Sequence, residues 1–306
     1  MIDMYESIRA VVVGSINTDL ILNMHKVPDL GENVLGTDYG YANGGKGANQ
    51  ATALANLGAT VRMIGKVGND ENGKALINNL KEKNIDVSGI DTNGSATGLA
   101  VIILDGEGRN RIVVYEGANK EIDSAAAIKS IVDFKPDLLL IQFETNEDVV
   151  ISCVNEAVKN NITTVIDCGP AKAFELEKMQ GTEIISPNES ETEALTGIYP
   201  DNEDNILKAS EILMERSKAK LVVLKLGSRG CSVWDKKELK LIPALKTNVV
   251  DTTAAGDCFT AAMALEYLKS GDIISACKMG NKAGAIAVSR MGAESSMPTA
   301  QELLKE

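Results

Sequence analysis

Histidine and paired cysteine are what this chain has least of. His25 is its single histidine, and its five cysteines, Cys153, Cys168, Cys231, Cys258 and Cys277, include no Cys-x-x-Cys pair. That argues against a zinc site. Dispersed thiols suit a reducing compartment, so the expected location is the cytoplasm. Positive charge is also short: 31 Lys and Arg face 43 Asp and Glu, a net charge of -12. An acidic surface repels nucleic acid and anionic lipid, and neither is expected as a partner. It does not exclude ATP, because a phosphate site needs only local positive potential. Long apolar runs are missing as well. The longest, such as DLLLIQF, have the length of a strand and cannot span a bilayer. The opening MIDMYESIRAVVVGS lacks the basic start and long apolar core of a secretory signal. At about 150 residues per domain, the length allows one large domain or two smaller ones. A chain this long buries enough surface to need no disulfide or metal staple.

What is present is an alternation. AVVVG (10–14), TVRMIGKVG (60–68), PDLLLIQF (136–143), ITTVID (162–167), EIISP (183–187) and KLVVLKLG (220–227) read as strands. GANQATALANLG, ENGKALINNLKEKN, NEDVVISCVNEAVKNN, NILKASEILMERSKA, DCFTAAMALEYLKSG and IISACKMGNKAGAIAVSR read as helices. Continuous apolar strands between helices predict an α/β fold with a mainly parallel sheet covered on both faces. Two segments, 20–42 and 97–115, break the rhythm. The second reads as a hairpin around DGEGRN, and together they predict a small extra sheet. No Pro/Ser-rich linker or repeat interrupts the chain, so that sheet should grow out of a single domain spanning 1–306. PTAQELLKE reads as a short capped helix.

The stretch YANGGKGANQATALANLG (41–58) places a lysine among glycines ahead of an alanine-rich segment. Gly40 to Lys46 fits the first seven positions of a Walker A loop, but Gly47 stands where the Mg²⁺-binding hydroxyl belongs. The dinucleotide fingerprint fails too, because Gln50 occupies the third glycine position. A third reading is a polyol site. Gly44 and Gly45 allow close backbone approach, and Lys46 and Asn49 sit one turn apart at a helix start. A glycine-rich helix start with a solvated lysine accounts for the same residues equally well.

Two further stretches bear on this. GSINTDLI puts Asn17 and Asp19 two apart at a strand end, facing the same way, so that an amide and a carboxylate could grip adjacent sugar hydroxyls. Asn and Asp ending a strand in a turn is the plainer alternative. NVVDTTAAGDCFTAAMALEYLKSG (248–271) runs from a strand end through a small-residue turn into a long helix. Amide groups of Ala254, Ala255 and Gly256 can converge at that helix start, where the dipole favours an anion. Asp257, in the first turn, could be a cap. A carboxylate beside an anion site is also what phosphoryl transfer to an alcohol requires.

GSINTDLI, NGGKGANQA, SPNESE and DTTAAGDCF stand in the order and spacing of the ribokinase family of sugar kinases, and the chain resembles that family from Val11 to about Pro298. The resemblance implies a three-layer α/β/α fold with a β-sheet lid, and transfer of the γ-phosphate of ATP to O5 of D-ribose. The alternative is another sugar or a nucleoside. It implies that Asn17, Asp19, Gly44, Gly45, Lys46, Asn49 and Glu144 hold the sugar. Asp257 would be the base, and Ala254, Ala255 and Gly256 the anion hole. Asn188 and Glu191 would place Mg²⁺ and phosphate, although Asn with Glu three later is by itself a capping box. The nucleotide would lie near Lys225, Gly227, Ser228, Gly230, Thr252 and Asn281. A K⁺ site would use Asp251 and Thr253 with Ala287, Arg290, Gly292 and Ser296. The lid would exclude water and form a homodimer contact. The chain departs from the family at Lys225, where Thr is common, at Asp167-Cys168-Gly169-Pro170-Ala171, where Asn-Pro-Ala-Pro-Ala is common, and at Asn43.

Overall fold

Alternate residues of the apolar runs go to opposite faces of one sheet, and each face has its own core. The structure is a computed structural model, and it describes residues 5–107, 109–179 and 181–305. The chain runs through β1 (Arg9–Val13), β2 (Asn17–Met24), β3 (Gly36–Gly44), α1 (Lys46–Asn56), β4 (Thr60–Lys66), α2 (Glu71–Glu82) and β5 (Asp86–Asp91). There follow β6 (Gly98–Leu104), β7 (Asn110–Tyr115), α3 (Ser124–Phe134), β8 (Leu138–Gln142), α4 (Glu147–Lys159), β9 (Thr163–Asp167) and β10 (Thr182–Ser186). The last third holds α5 (Glu189–Thr196), α6 (Glu203–Ser217), β11 (Ala219–Lys225), β12 (Cys231–Trp234), β13 (Leu239–Ile242), α7 (Ala255–Ser270), α8 (Ile273–Val288) and α9 (Ala300–Leu304).

The main sheet has nine strands in the order β13-β12-β11-β10-β9-β8-β1-β4-β5. It is parallel except for β12 and β13, which form an antiparallel edge. Val12, Met63 and Leu140 face the core shared with α1, α7 and α8. Val11, Val13 and Ile141 face the core shared with α3, α4 and α6. Each such side chain is fully buried, contributing about 1.5–3 kcal/mol of hydrophobic transfer. This is the expected three-layer α/β/α arrangement.

The second sheet has four strands in the order β3-β2-β6-β7 and matches the two segments that break the helical rhythm. β2 pairs antiparallel with β3 and parallel with β6, and β6 pairs antiparallel with β7 as the expected hairpin. Gly108, within the DGEGRN stretch, lies outside the described residues, as do residues 1–4 of the N-terminal stretch, Gln180 and Glu306. β2 begins at Asn17, three residues before the expected start, so the lid sheet leaves the main sheet directly after β1. β1 lies between β4 and β8, where the strand order reverses. The crevice at the carboxyl ends of β1 and β8 is therefore the position at which α/β sheets take ligands.

Several elements are not legible in the alternation. β12 and β13 are four residues each, too short to carry a period. α3 and β5 flank the lid hairpin, and their patterns merge with its flanks. The expected short helix in PTAQELLKE is α9, closed by a capping box between Thr299 and Glu302.

Candidate active site

The glycines of the opening stretch are forced by what stands beside them. Gly44 closes β3 opposite Asn17. A Cβ on Gly44 would fall 2.3 Å from the Asp19 carboxylate. Gly45 has φ of +90°, and a Cβ there would meet the Ser15 carbonyl at 2.7 Å. The chain thus crosses the end of β1 in close contact and enters α1 at Lys46. Lys46, Asn49 and Gln50 share one face of that helix, and that face points at Asp257. Asn49 Nδ2 donates to Asp257 Oδ2 at 3.1 Å, Gln50 Nε2 donates to Oδ1 at 2.9 Å, and Lys46 Nζ lies 3.7 Å from Oδ1. Residues some two hundred positions apart in the chain meet here because α1 packs against α7.

On the lid side, Glu144 follows β8 and accepts from the Lys46 backbone N–H at 3.0 Å and from the Ser15 hydroxyl. Asp19 is half-buried. Burial, with the Glu144 charge adding to it, pushes its carboxyl up to about 7. Asn17 is buried. Asn119 Nδ2 donates to Asn17 Oδ1 at 2.7 Å, which turns the Asn17 amide nitrogen away as a donor, and Asn119 Oδ1 accepts from the Ile16 N–H.

On the other side of Asp257 opens a cavity of about 940 Å³. Asn188, Lys225, Gly227, Ser228, Gly230, Thr252, Ala254, Ala255, Gly256, Asp257 and Asn281 all line it, with Lys46 at its inner end. α7 starts at the floor. Ala254 precedes it in the left-handed region at φ +58°, and no side chain caps the helix. The Ala255 N–H reaches the Thr252 carbonyl at 3.3 Å, so it is partly engaged, whereas Gly256 and Asp257 line the cavity. Asn281 is also partly engaged, donating to the carbonyls of Ile242 and Pro243 and so holding the cavity wall. Glu191 does not line the cavity. Its carboxylate closes the α5 capping box on Asn188, and burial raises its pKa.

The Asp251 group assembles beside the cavity. Asp251 Oδ1 accepts from the Thr253 N–H and hydroxyl at 2.9 and 2.7 Å, and Oδ2 accepts from Gly292 N–H at 2.9 Å. Burial would raise the Asp251 pKa, but these donors bring it below the usual range. The Ala287–Ser296 segment is thereby tied to the turn that leads into α7. Arg290 N–H bonds the Ala287 carbonyl, and Ser296 is buried on the Ala293 carbonyl. The available donors are all oxygens, which fits an alkali cation.

Sequence reasoning missed Gln50, Asn119, Ser15 and Thr260. Gln50 had a signal, since it lies at i+4 from Lys46 on a helix. The two departures from the family pattern meet: Lys225 Nζ is 2.7 Å from Asp167 Oδ2. Asn43, the third departure, donates to Glu294, which also accepts from Asn79 and pairs with Lys83.

A cleft of this build, with a polyol end, a buried carboxylate and an uncapped helix start over a large cavity, defines a sugar-phosphorylating kinase. The model of the pfkB family carbohydrate kinases matches residues 7–300, and the chain belongs to that family. It is an ATP-dependent phosphotransferase. Among its relatives, the ribokinase of Bacillus subtilis is 37% identical over 294 residues, covering 95% of this chain and 97% of the relative. The deoxyribokinase of Salmonella typhi is 30% identical over 295 residues, covering 95% and 96%. Among solved structures, Arabidopsis thaliana ribokinase complexed with ribose and ATP superposes with a TM-score of 0.88 at 29% identity, covering 97% of both chains. Among the described residues no helix is long and apolar enough to cross a membrane.

Proposed function

We propose that the chain is a ribokinase, transferring the γ-phosphate of ATP to O5 of D-ribose. One observation carries this reading. Asp257 sits where the polyol end and the nucleotide cavity join, with both carboxylate oxygens held by Asn49 and Gln50 from the glycine-lysine helix. The sugar lies among Asn17, Asp19, Gly44, Gly45, Lys46, Asn49 and Glu144. ATP lies along Lys225, Gly227, Ser228, Gly230, Thr252 and Asn281. Asp257 accepts the O5 proton, the O5–Pγ bond forms, and the bond from Pγ to the bridging oxygen of ADP breaks. The start of α7 at Ala254, Ala255 and Gly256 stabilises charge on the transferring group. Lys46, 3.7 Å from Asp257, supplies the compensating positive charge.

Mg²⁺ would ride on the ATP phosphates and neutralise their charge, with Asn188, which lines the cavity, reaching it through water and Glu191 holding Asn188 in place. K⁺ would sit on the oxygens of Asp251, Thr253, Ala287, Arg290, Gly292 and Ser296, and its charge would order the turn into α7. The lid excludes water from the transfer and forms a homodimer contact. A cytoplasmic location fits five buried cysteines, none in a disulfide.

Asn17 favours ribose over 2-deoxyribose. Its amide nitrogen, oriented by Asn119, offers a buried donor that an analogue lacking the 2-hydroxyl would leave unpaired. The test is ADP release with Mg²⁺-ATP against ribose, 2-deoxyribose, fructose and a nucleoside, each in K⁺ and in Na⁺. Ribose-selective turnover that rises with K⁺ is expected. Asp257→Asn should lower turnover by about 10² to 10⁴-fold while ribose binding persists. Turnover confined to another acceptor would move the substrate, and near-normal rates in Asp257→Asn would remove the base.

A further inference from the structure

The Lys225 and Asp167 pair sits at a place where an ion pair is a poor structural device. Lys225 ends β11 and Asp167 ends β9, and both point into the floor beneath α7. The Asp167 side chain is fully buried and that of Lys225 is 10% exposed. Two charges taken out of water recover their desolvation cost only with excellent geometry, so such a pair adds little stability. Nor does Asp167 need the lysine to satisfy its oxygens. Gln50 Nε2, the Thr260 hydroxyl and the Gly169 N–H donate to it at 3.2, 3.1 and 3.1 Å. The lysine, by contrast, is held by Asp167 and is otherwise free to act. Among the described residues its ammonium spends one hydrogen bond on Asp167, at 2.7 Å, and it lines the cavity.

Its position also faces where an anion would bind. Lys225 Nζ comes within 3.9 Å of where a Cβ on Gly256 would stand, against the start of α7. That is the positive end of the helix dipole, and Lys46 adds a second ammonium nearby. Burial alone would lower the Lys225 pKa, but the Asp167 and Glu191 carboxylates outweigh it and keep the group charged.

We propose that Lys225 is a catalytic residue that contacts the transferring phosphoryl group from the β11 side, and that Asp167 is its positioning residue. The proposal rests on the kinase reading above and deepens it, giving Lys225, placed there only along the nucleotide, a role at the transferring group. As the Pγ–O bond to ADP breaks and the O5–Pγ bond forms, charge spreads over the equatorial oxygens. The Lys225 ammonium meets those oxygens opposite the amide groups of α7. Gln50 donates to both Asp167 and Asp257, so the base and the lysine anchor share one amide and keep a fixed separation.

The test uses the full chain and three variants. Asp167→Asn with Lys225→Met removes both charges of the pair together, while Lys46 keeps Asp257 at 3.7 Å and Glu191 keeps its hydrogen bonds to Asn188. Asp167→Asn alone removes the anchor. Turnover is read on whichever acceptor the wild type accepts, beside ADP affinity, the thermal midpoint, and affinity for Mg²⁺-ADP with aluminium fluoride, a mimic of the transferring group. In the double variant kcat and aluminium fluoride affinity should both fall by about 100-fold. The sugar KM and ADP affinity should move by less than about threefold, with the thermal midpoint near that of the wild type. Asp167→Asn alone should lower kcat by about tenfold, and Asp167→Glu should restore part of it. A double variant with wild-type kcat and aluminium fluoride affinity would overturn the proposal. So would a rate loss that merely tracks a lost thermal midpoint. A wild type active only on another sugar leaves the comparison intact. A wild type inert on every sugar removes the kinase reading, and the aluminium fluoride affinity without sugar still decides the Lys225 contact.

Discussion

Asp19 carries a pH signature that belongs to one side chain. In the folded protein its carboxyl titrates at about 7, because burial and the nearby Glu144 disfavour the charged form. In the unfolded chain it titrates near 3.9. Between those values the folded state holds the extra proton, so this group's contribution to stability falls as pH rises from about 4 to 7. Sugar hydroxyls donate best to the ionised form, so binding runs the other way. The sugar KM should fall about tenfold between pH 6 and pH 8, the ratio set by ionisation at pH 7. Asp19→Asn should flatten that profile at a uniformly higher KM. A wild-type KM constant over this range would mean that Asp19 is not the group that grips the sugar. Only part of this site was readable residue by residue. Asn17, Asp19, Lys46 and Asn49 are named by type and spacing. Gln50 and Asn119 act by orienting others, and orientation has no spacing signature.

At the scale of elements, the turn from β3 into α1 does its work through the absence of side chains. A methyl on Gly44 would meet Asp19 at 2.3 Å, whereas one on Gly40, four residues earlier in the same strand, meets nothing within 4 Å. Gly44→Ala should therefore displace the carboxylate and raise the sugar KM by about tenfold or more, since small misplacements of a positioning group are costly. Gly40→Ala should leave KM unchanged. Equal KM values in the two variants would detach the Gly44 approach from sugar binding. The helices show why some elements were legible and others not. α4 and α6 carry a clear period because one face is wet. α7 is buried from Asp257 to Leu265 among α1, α8 and the sheet, so its apolar residues are not confined to one face, and its small-residue start marked its position. β12 and β13 pair with β11 only through register, which no four-residue run can announce.

The whole molecule presents one surface that a lone chain would not be expected to leave open. Ile112, Val113, Val114 and Tyr115 on the edge strand β7, with Tyr39 and Tyr41 on β3, are all at least 44% exposed. Apolar side chains on an open sheet mark an association surface, and a second copy meeting lid to lid would cover them. Sedimentation at micromolar concentration should give a dimer, and Val113→Asp should shift it toward monomer with the thermal midpoint of the main domain retained. A wild type sedimenting as a monomer would leave the lid as a flap alone.

By itself the sequence determined the α/β class, the position of the lid segments and the residue types of a sugar kinase. Period, glycine placement and motif order are local properties that survive without coordinates. Tertiary structure alone decided how these parts act together. The packing of α1 on α7 brings Asn49 and Gln50 to Asp257 across some two hundred positions. The parallel register of β9, β10 and β11 brings Lys225 to Asp167. In the sequence those two residues were separate departures from a pattern; in the fold they are one ion pair, because charges separated along the chain can neutralise each other only once the sheet has placed them side by side.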